Sequence, residues 1–254
     1  MIPKKIHYCW FGGNPLPELY KAYIQSWRKY CPDYEIVQWD ETNFDVTQNG
    51  YCSQAYKAKK WAFVSDYARL KVIYENGGVY IDTDVELLKD ITPLIADGIG
   101  FIGFQNPIEV NTGLGFAAEP HNEAVKAMLD IYEKRQFVFS DGTYNITMCT
   151  TANTFGLIEC GLKINQPWCA SIQTLKGLRV YPEDYFNPLN YDTQKLKITP
   201  NTYMIHHYMA TWVDNNQKLR KAIKRFLPSF ILRKRAERIS RRNLQLIAEE
   251  IDKC

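Results

Sequence analysis

The segment Val79-Tyr80-Ile81-Asp82-Thr83-Asp84-Val85 determines how the rest of the chain is interpreted. Three apolar residues with strand propensity run directly into two aspartates that are separated by one threonine. In an α/β sheet, ligands gather beyond the carboxyl ends of the strands. Two carboxylates this close repel each other unless a cation or a proton neutralises one of them. The pair therefore predicts either a site for a divalent ion with oxygen ligands or a simple polar turn.

Strands and helices alternate around this segment. Residues 5–10 and 34–39 have strand patterns, whereas residues 16–30 and 61–75 have helical patterns. The pair Gly77-Gly78 is a typical exit from the second helix. This alternation predicts an α/β fold around a mixed, mainly parallel central sheet. Further helices are predicted at 121–135, 151–160 and 232–250, and further strands at 101–105 and 114–118.

Basic charge is concentrated near the C-terminus. The net charge of the 254-residue chain is +3, yet residues 217–242 contain eleven Lys and Arg residues and one Glu. We therefore divide the chain into a domain at 1–214, which contains the aspartate segment, and a basic amphipathic helical segment at 215–254. Such a segment predicts binding to an anionic membrane surface, with packing against the domain as the alternative. Nucleic acid is not an expected partner, because no nucleic-acid-binding motif accompanies the charge.

Cysteine usage and apolar runs bear on the compartment. Seven cysteines are scattered without any C-x-x-C pair, which fits a reducing environment. The first residues lack the apolar core of a signal peptide, and no run approaches the roughly 18 apolar residues of a membrane span. We expect a cytoplasmic protein that is peripheral at the inner face of the plasma membrane.

The helix that precedes the aspartate pair carries a charge where a charge is costly. Asp66 lies at the centre of the apolar face of helix 61–75, and Arg69 lies three residues later on the flank of that face. Side chains at this spacing are within reach of each other. The two residues therefore form either a structural ion pair or a buried pair that points polar groups at a ligand.

These motifs together resemble glycosyltransferase family 32. The resemblance rests on Ser65-Asp66-Tyr67-Ala68-Arg69, on the glycine turn at 74–78 and on the aspartate segment at 79–85. The opening run at 2–13 and the late run at 206–212 also match, in the same order along the chain. The family includes capsular-polysaccharide transferases and yeast mannosyltransferases, and it is related to the glucosylating clostridial toxins.

The resemblance implies a GT-A-type fold, a nucleotide-sugar donor and retention of the anomeric configuration. It also implies two sets of site residues. The catalytic set, beside the donor sugar, comprises Asp66, Arg69 and Asn111. The nucleotide-sugar-binding set comprises Trp10, stacked on the base, together with Asp66, Arg69, Tyr80, Asp82, Thr211 and Trp212.

A divalent ion is expected at the aspartate pair, with Mn²⁺ or Mg²⁺ as the candidates. The resemblance makes Asp84 a ligand of the ion and lets Asp82 serve the ion, the ribose or the sugar. Imidazole is also a suitable ligand for Mn²⁺. Neighbours on a strand point to opposite faces, so only one of His206 and His207 can reach the ion. We choose His207.

The expected function is transfer of a hexose, with galactose favoured, from a nucleotide sugar, with UDP favoured. The acceptor would be a saccharide or a polyprenyl-diphosphate-linked saccharide in bacterial surface and capsular polysaccharide synthesis. No carboxylate is identified as a nucleophile, so we expect same-face displacement. The alternatives are a non-catalytic nucleotide-sugar or membrane-surface binding protein of the same fold, and a different metal-dependent phosphotransferase or nuclease.

Overall fold

A twisted central sheet positions the aspartate segment. The computed structural model describes residues 1–209 and 229–252. Within those residues the sheet has eight strands, and five of them run in one direction. The predicted α/β class with a mixed, mainly parallel central sheet is confirmed. The strands follow the order β2 (Glu35–Trp39), β1 (Lys5–Cys9), β3 (Gly78–Tyr80), β7 (Phe116–Ala118), β5 (Gly100–Phe104), β9 (Leu178–Tyr181) and β8 (Gln173–Leu175), with β6 (Val110–Asn111) paired to β5.

Helices cover both faces of this sheet, and a separate pair of antiparallel strands, β4 (Val85–Leu87) and β10 (Met204–His206), lies beside it. The helices predicted from the sequence are confirmed with shifts of a few residues at their ends, whereas the helix at 50–57 and the short helices at 92–95 and 183–186 were not predicted. The helices are α1 (Glu18–Tyr30), α2 (Gly50–Lys57), α3 (Trp61–Asn76), α4 (Thr92–Ile95), α5 (Glu123–Glu133), α6 (Cys149–Glu159), α7 (Glu183–Phe186) and α8 (Ser229–Ile251).

Alternate residues of the short strand β3 serve two different cores. Tyr80 faces the cluster formed with α2, α3, α5 and α6, whereas Val79 faces the cluster on the α1 side of the sheet. Both residues are fully buried. Three consecutive buried residues therefore behave as the sequence pattern requires of a strand that is covered on both faces.

Two glycines let α3 turn directly into β3. Gly77 has φ +65° and Gly78 has φ +97°, a region that residues with a side chain rarely adopt. A Cβ on Gly78 would also lie 2.9 Å from His7 Nε2 and 2.9 Å from the Lys5 carbonyl oxygen on β1. The turn sets β3 parallel to β1, so the residues that follow both strands emerge at the same edge of the sheet.

The C-terminal helix α8 packs against the domain. Leu244 and Ile247 are buried, and Glu250 forms an ion pair with the buried Arg135, whose Nε lies 3.2 Å from the carboxylate. The described part of the basic segment is therefore attached to the core and has one free face. The predicted domain boundary at 214 falls outside the described residues and stays a prediction. None of the helices described is long and apolar enough to cross a membrane.

Two neighbouring residues of α8 test this attachment. Ile247→Ala removes a fully buried side chain, so we expect a loss of about 2–5 kcal/mol in the free energy of unfolding. Leu246→Ala, at the next position but about half exposed, should change it by less than about 0.5 kcal/mol. Urea unfolding of both variants measures the difference, and equal effects would show that α8 does not pack as described.

Candidate active site

The aspartate segment connects the central sheet to the small strand pair. The Ile81 N–H still donates to the His7 carbonyl on β1, at 3.0 Å, so the chain follows the sheet up to Asp82. The Val85 N–H then donates to the Asp82 carbonyl, at 3.0 Å, and the chain turns into β4. This turn leaves the side chains of Asp82 and Asp84 partly buried at the carboxyl edge of β1 and β3. The edge is where an α/β sheet binds ligands.

Arg69 joins the helix to the aspartate segment. Its Nη2 lies 3.0 Å from Asp66 Oδ1 and 3.4 Å from Asp82 Oδ1. Its Nη1 donates to Thr112 Oγ1 at 3.4 Å, and the guanidinium lies over the ring of Tyr80, 5.1 Å from the centroid. Burial lowers the pKa of Arg69, but the carboxylates around it raise that pKa well above its usual value. The guanidinium is therefore a permanent buried cation between two acidic groups.

The two aspartates that contact Arg69 are harder to ionise than aspartates in water. Burial raises the pKa of Asp66 and of Asp82, and Arg69 only partly opposes that shift. The Tyr80 hydroxyl donates to Asp82 Oδ1 at 2.7 Å. One guanidinium is shared by two carboxylates, so further hydrogen-bond donors or another cation would stabilise their charged forms. A ligand with several hydroxyl groups would provide the hydrogen-bond donors, and a divalent ion would provide the cation.

Two aspartates and one histidine form a cluster suited to a metal ion. One ligand atom from each of Asp82, Asp84 and His206 lies within 4.8 Å of the others. His206 Nε2 is 3.2 Å from Asp84 Oδ1, whereas His206 Nδ1 is buried without a hydrogen-bond partner among the described residues. Burial acts to raise the pKa of Asp84, but His206 and the Met209 N–H outweigh it and lower that pKa to about 2. The two carboxylates suit Mn²⁺ and Mg²⁺ alike, and the imidazole favours Mn²⁺ of the two, so the donor set fits the expected ion.

The structure corrects the choice between the two adjacent histidines. His206, the last residue of β10, faces Asp84, whereas His207 Nε2 lies 3.0 Å from Glu86 Oε2. The ring of His207 stacks on Tyr23, with centroids 4.5 Å apart. Side-chain alternation says that one histidine faces the carboxylates, but only the pairing of β10 with β4 decides which one.

Both polar atoms of the Asn111 side chain are hydrogen-bonded within the protein, so Asn111 stabilises the turn beside the site and is not free to bind a ligand. Its Oδ1 accepts from the Gly113 N–H at 2.6 Å, and its Nδ2 donates to Gln105 Oε1 at 2.7 Å. The turn that Asn111 holds brings the backbone of Gly113 against the site. A Cβ on Gly113 would collide with the Asp82 carboxylate and would lie 3.1 Å from Arg69 Nη1.

The N-terminal part of α6 completes the site and was not predicted. The Cys149 thiol donates to the Asp66 carboxylate. Loss of solvent and the charge of Asp66 raise the pKa of Cys149 well above its usual value, so the thiol stays protonated. Asn153 Nδ2 donates to Thr112 Oγ1 at 2.9 Å, while its buried Oδ1 has no hydrogen-bond partner within the described part of the chain. No spacing signal marks these residues, because the packing of α6 on α5 and β6 brings them here.

The expected base-stacking residue lies at the same edge of the sheet. Trp10 follows β1, its Nε1 donates to the Asn14 carbonyl at 2.6 Å, and its ring lies 5.5 Å from that of Tyr20. Thr211 and Trp212, expected over the diphosphate, lie outside the described residues. A groove of about 720 Å³ opens next to Asn14. It is lined by Gly12, Gly13, Asn14, Glu41, Thr42, Tyr56, Lys59 and Trp61.

Comparison with known proteins finds a family match that includes the aspartate segment and the helix before it. Residues 17–99 match the family described as a glycosyltransferase sugar-binding region containing the DXD motif. Inositol phosphoceramide mannosyltransferase 1 of Schizosaccharomyces pombe is 29% identical over 130 residues, which are 47% of this chain and 39% of that protein. An uncharacterized glycosyltransferase of Acanthamoeba polyphaga mimivirus is 22% identical over 85% of both chains. The solved PaToxG glycosyltransferase superposes with a TM-score of 0.49 at 18% identity, over 62% of this chain and 69% of that one.

The histidine assignment can be tested by metal binding. His206→Ala should weaken Mn²⁺ binding in the presence of UDP by at least the roughly 10–100-fold seen when a partner of a metal ligand is lost. His207→Ala should leave it within about twofold, because His207 faces Glu86. Calorimetric titration of both variants gives the two affinities, and a greater loss in His207→Ala would restore the original choice.

The close approach at Gly113 gives a second test. Gly113→Ala places a methyl group against the Asp82 carboxylate and Arg69, so we expect a loss of about 1–3 kcal/mol in unfolding free energy and weaker Mn²⁺ binding. Gly50→Ala is the control, since a Cβ there meets nothing within 4 Å. Urea unfolding and Mn²⁺ titration compare the two, and an unaltered Gly113→Ala would mean that the turn does not approach Asp82 as described.

Proposed function

We propose that this chain, whose residues 17–99 match the family described as a glycosyltransferase sugar-binding region containing the DXD motif, transfers a hexose from a nucleotide sugar to a saccharide or lipid-linked saccharide. One observation carries the proposal. Arg69 holds Asp66 beside Asp82, and Asp82 also belongs to the cluster with Asp84 and His206. The acidic pair that would face the sugar and the cluster that would hold the metal thus share the carboxylate of Asp82. This arrangement suits a ligand in which a sugar is joined to a diphosphate.

The proposed roles follow from charge and position. Asp84 and His206, with Asp82, would hold Mn²⁺ or Mg²⁺, which when bound neutralises charge on the leaving diphosphate. Asp66 accepts hydrogen bonds from hydroxyl groups of the donor sugar. Arg69 keeps both carboxylates in position and adds a fixed positive charge beside the departing phosphate. Trp10 completes the donor site on the base side, and Tyr80 keeps Asp82 in place through its hydroxyl group. The roles of Thr211 and Trp212 over the diphosphate rest on the family resemblance alone.

With retention taken from the family resemblance, the contacts favour same-face displacement over double displacement. A double displacement needs a carboxylate that is free to attack the anomeric carbon. Asp66 is engaged by Arg69 and the Cys149 thiol, and both polar atoms of the Asn111 side chain are hydrogen-bonded elsewhere. We therefore propose that a phosphate oxygen of the leaving group takes the proton of the incoming hydroxyl on the same face of the sugar.

Donor and acceptor are proposed more broadly. UDP-galactose remains the favoured donor, and the mannosyl transfer named for the fungal relatives makes GDP-mannose the second candidate. The setting would be surface-polysaccharide synthesis by a peripheral protein at the cytoplasmic side of a membrane. The exposed basic residues of α8 support an anionic membrane surface as a partner. They are Arg233, Lys234, Arg235, Arg238, Arg241 and Arg242.

Release of nucleoside diphosphate from a donor panel tests the function. Wild type with Mn²⁺ should hydrolyse at least one nucleotide sugar slowly in the absence of acceptor. Asp84→Asn should lower that rate by more than about 100-fold, because the charge that holds the ion is lost. His207→Gln, close in space but turned towards Glu86, should retain it within about threefold.

A second outcome would favour the non-catalytic alternative. Tight binding of a nucleotide sugar by wild type, with no turnover in the presence of Mn²⁺ or Mg²⁺ across the panel, would indicate a binding protein of the same fold. Detection of a covalent sugar on Asp66 by mass spectrometry would contradict same-face displacement while leaving the transferase assignment intact.

A further inference from the structure

An apolar ridge lies at the surface between the β-bridge at Tyr144 and the start of α6. Tyr144, Ile146 and Met148 are 44%, 72% and 45% exposed, whereas Asn145 between them is buried. Alternate residues therefore point outward, as in an extended strand. Single exposed apolar residues are ordinary, but three on one short segment form a patch that needs an explanation.

The ridge is held in place by buried polar contacts. Asn145 Oδ1 accepts from Arg135 Nη2 at 2.9 Å, and Asn145 Nδ2 donates to Glu250 Oε1 at 2.7 Å and to the Gln136 carbonyl at 3.2 Å. The ring of Tyr144 stacks on Phe137, with centroids 5.3 Å apart. Because the backbone is fixed from inside, the apolar side chains are presented to solvent by a built structure.

The position of the ridge connects it to the proposed sugar site. Met148 directly precedes Cys149, whose thiol donates to Asp66. On the other side, Lys60 Nζ lies 5.6 Å from the centroid of the Tyr144 ring, and Lys57 and Lys59 are exposed just before it in the chain. The ridge therefore has a cation beside it at Tyr144 and leads along the chain to the Asp66 site at Cys149.

The segment that carries the ridge is also joined to α8 through the hydrogen bond between Asn145 and Glu250. Glu250, which holds Asn145, lies one helical turn after Leu246, and Leu246 is about half exposed. Arg235, Ile239, Arg242 and Leu246 are all exposed and follow one another at spacings of four, three and four residues, so they share one face of the helix. Cations and apolar residues alternate along this face, and Glu250, one turn beyond Leu246, is hydrogen-bonded to Asn145 of the ridge segment.

We propose that the ridge and the free face of α8 form one docking surface for an anionic lipid membrane, and that this surface brings a lipid-linked acceptor to the Asp66 site. Arginine and lysine match the charge of anionic headgroups, and the interleaved apolar side chains enter the interface between headgroups and acyl chains. The acceptor part rests on the proposed transferase function, whereas the membrane contact stands on the surface alone.

Vesicle co-sedimentation tests the surface. Wild type should bind phosphatidylcholine vesicles that contain phosphatidylglycerol and should not bind phosphatidylcholine alone. The double variant Ile146→Ser/Met148→Ser should bind about tenfold more weakly, since it removes apolar area that enters the membrane. The matched control is Leu196→Ser/Ile198→Ser, two residues with the same spacing and 50% and 56% exposure on the segment between α7 and β10, and it should bind like wild type.

A charge arm and a folding check complete the experiment. Arg238→Glu/Arg242→Glu should also lose vesicle binding, and the thermal midpoint of every variant should stay within about 2 °C of wild type, because all these residues are exposed. Wild type that fails to bind anionic vesicles, or a ridge variant that binds as well as the control, would overturn the proposal. Vesicle binding by a wild type that hydrolyses no nucleotide sugar would remove the transferase function and leave the membrane surface standing.

Discussion

The buried guanidinium of Arg69, shared between Asp66 and Asp82, is the interaction on which the site depends. Two carboxylates buried this close together cannot both stay charged without a permanent cation. Arg69 can supply that cation only if α3 runs beside β3. The glycine turn at Gly77-Gly78 sets this arrangement. The carboxyl edge of the sheet, Gly113 and the first residues of α6 lie around the three charged side chains of Asp66, Arg69 and Asp82.

Two sides of the site differ in electrostatic character, and Asp82 belongs to both. Asp84 has a pKa lowered to about 2, so it is an anion ready for a metal ion. Burial raises the pKa of Asp66 on the other side, so hydrogen bonds donated by sugar hydroxyl groups would stabilise its charged form. Asp82 contacts Arg69 and Tyr80 on the side proposed to bind the sugar and lies in the cluster with His206 on the side proposed to bind the metal. A donor that joins a sugar to a diphosphate would bridge these two halves.

Sequence patterns predicted the parts of this site that are formed by residues close together in the chain. The strand before Asp82, the glycine exit from α3 and the reach of Arg69 to Asp66 follow from propensity and helical spacing. The choice of His206 over His207 depends on how β10 pairs with β4, far apart in the chain, and spacing alone could not decide it. Cys149 enters the site only through the packing of α6, and the attachment of α8 through Ile247 and Glu250 is likewise tertiary. The described part of the basic segment, α8, thus has one face on the core and one face outward, a division that charge counting does not reveal.

The most direct test of the account is a crystal structure with Mn²⁺ and an unhydrolysed nucleotide sugar, with the ion located by anomalous scattering. The account predicts an ion in contact with Asp84 and His206, a sugar in contact with Asp66, and the Arg69 guanidinium unmoved between them. An ion held by His207 and Glu86, or a sugar bound away from Asp66 and Arg69, would contradict it.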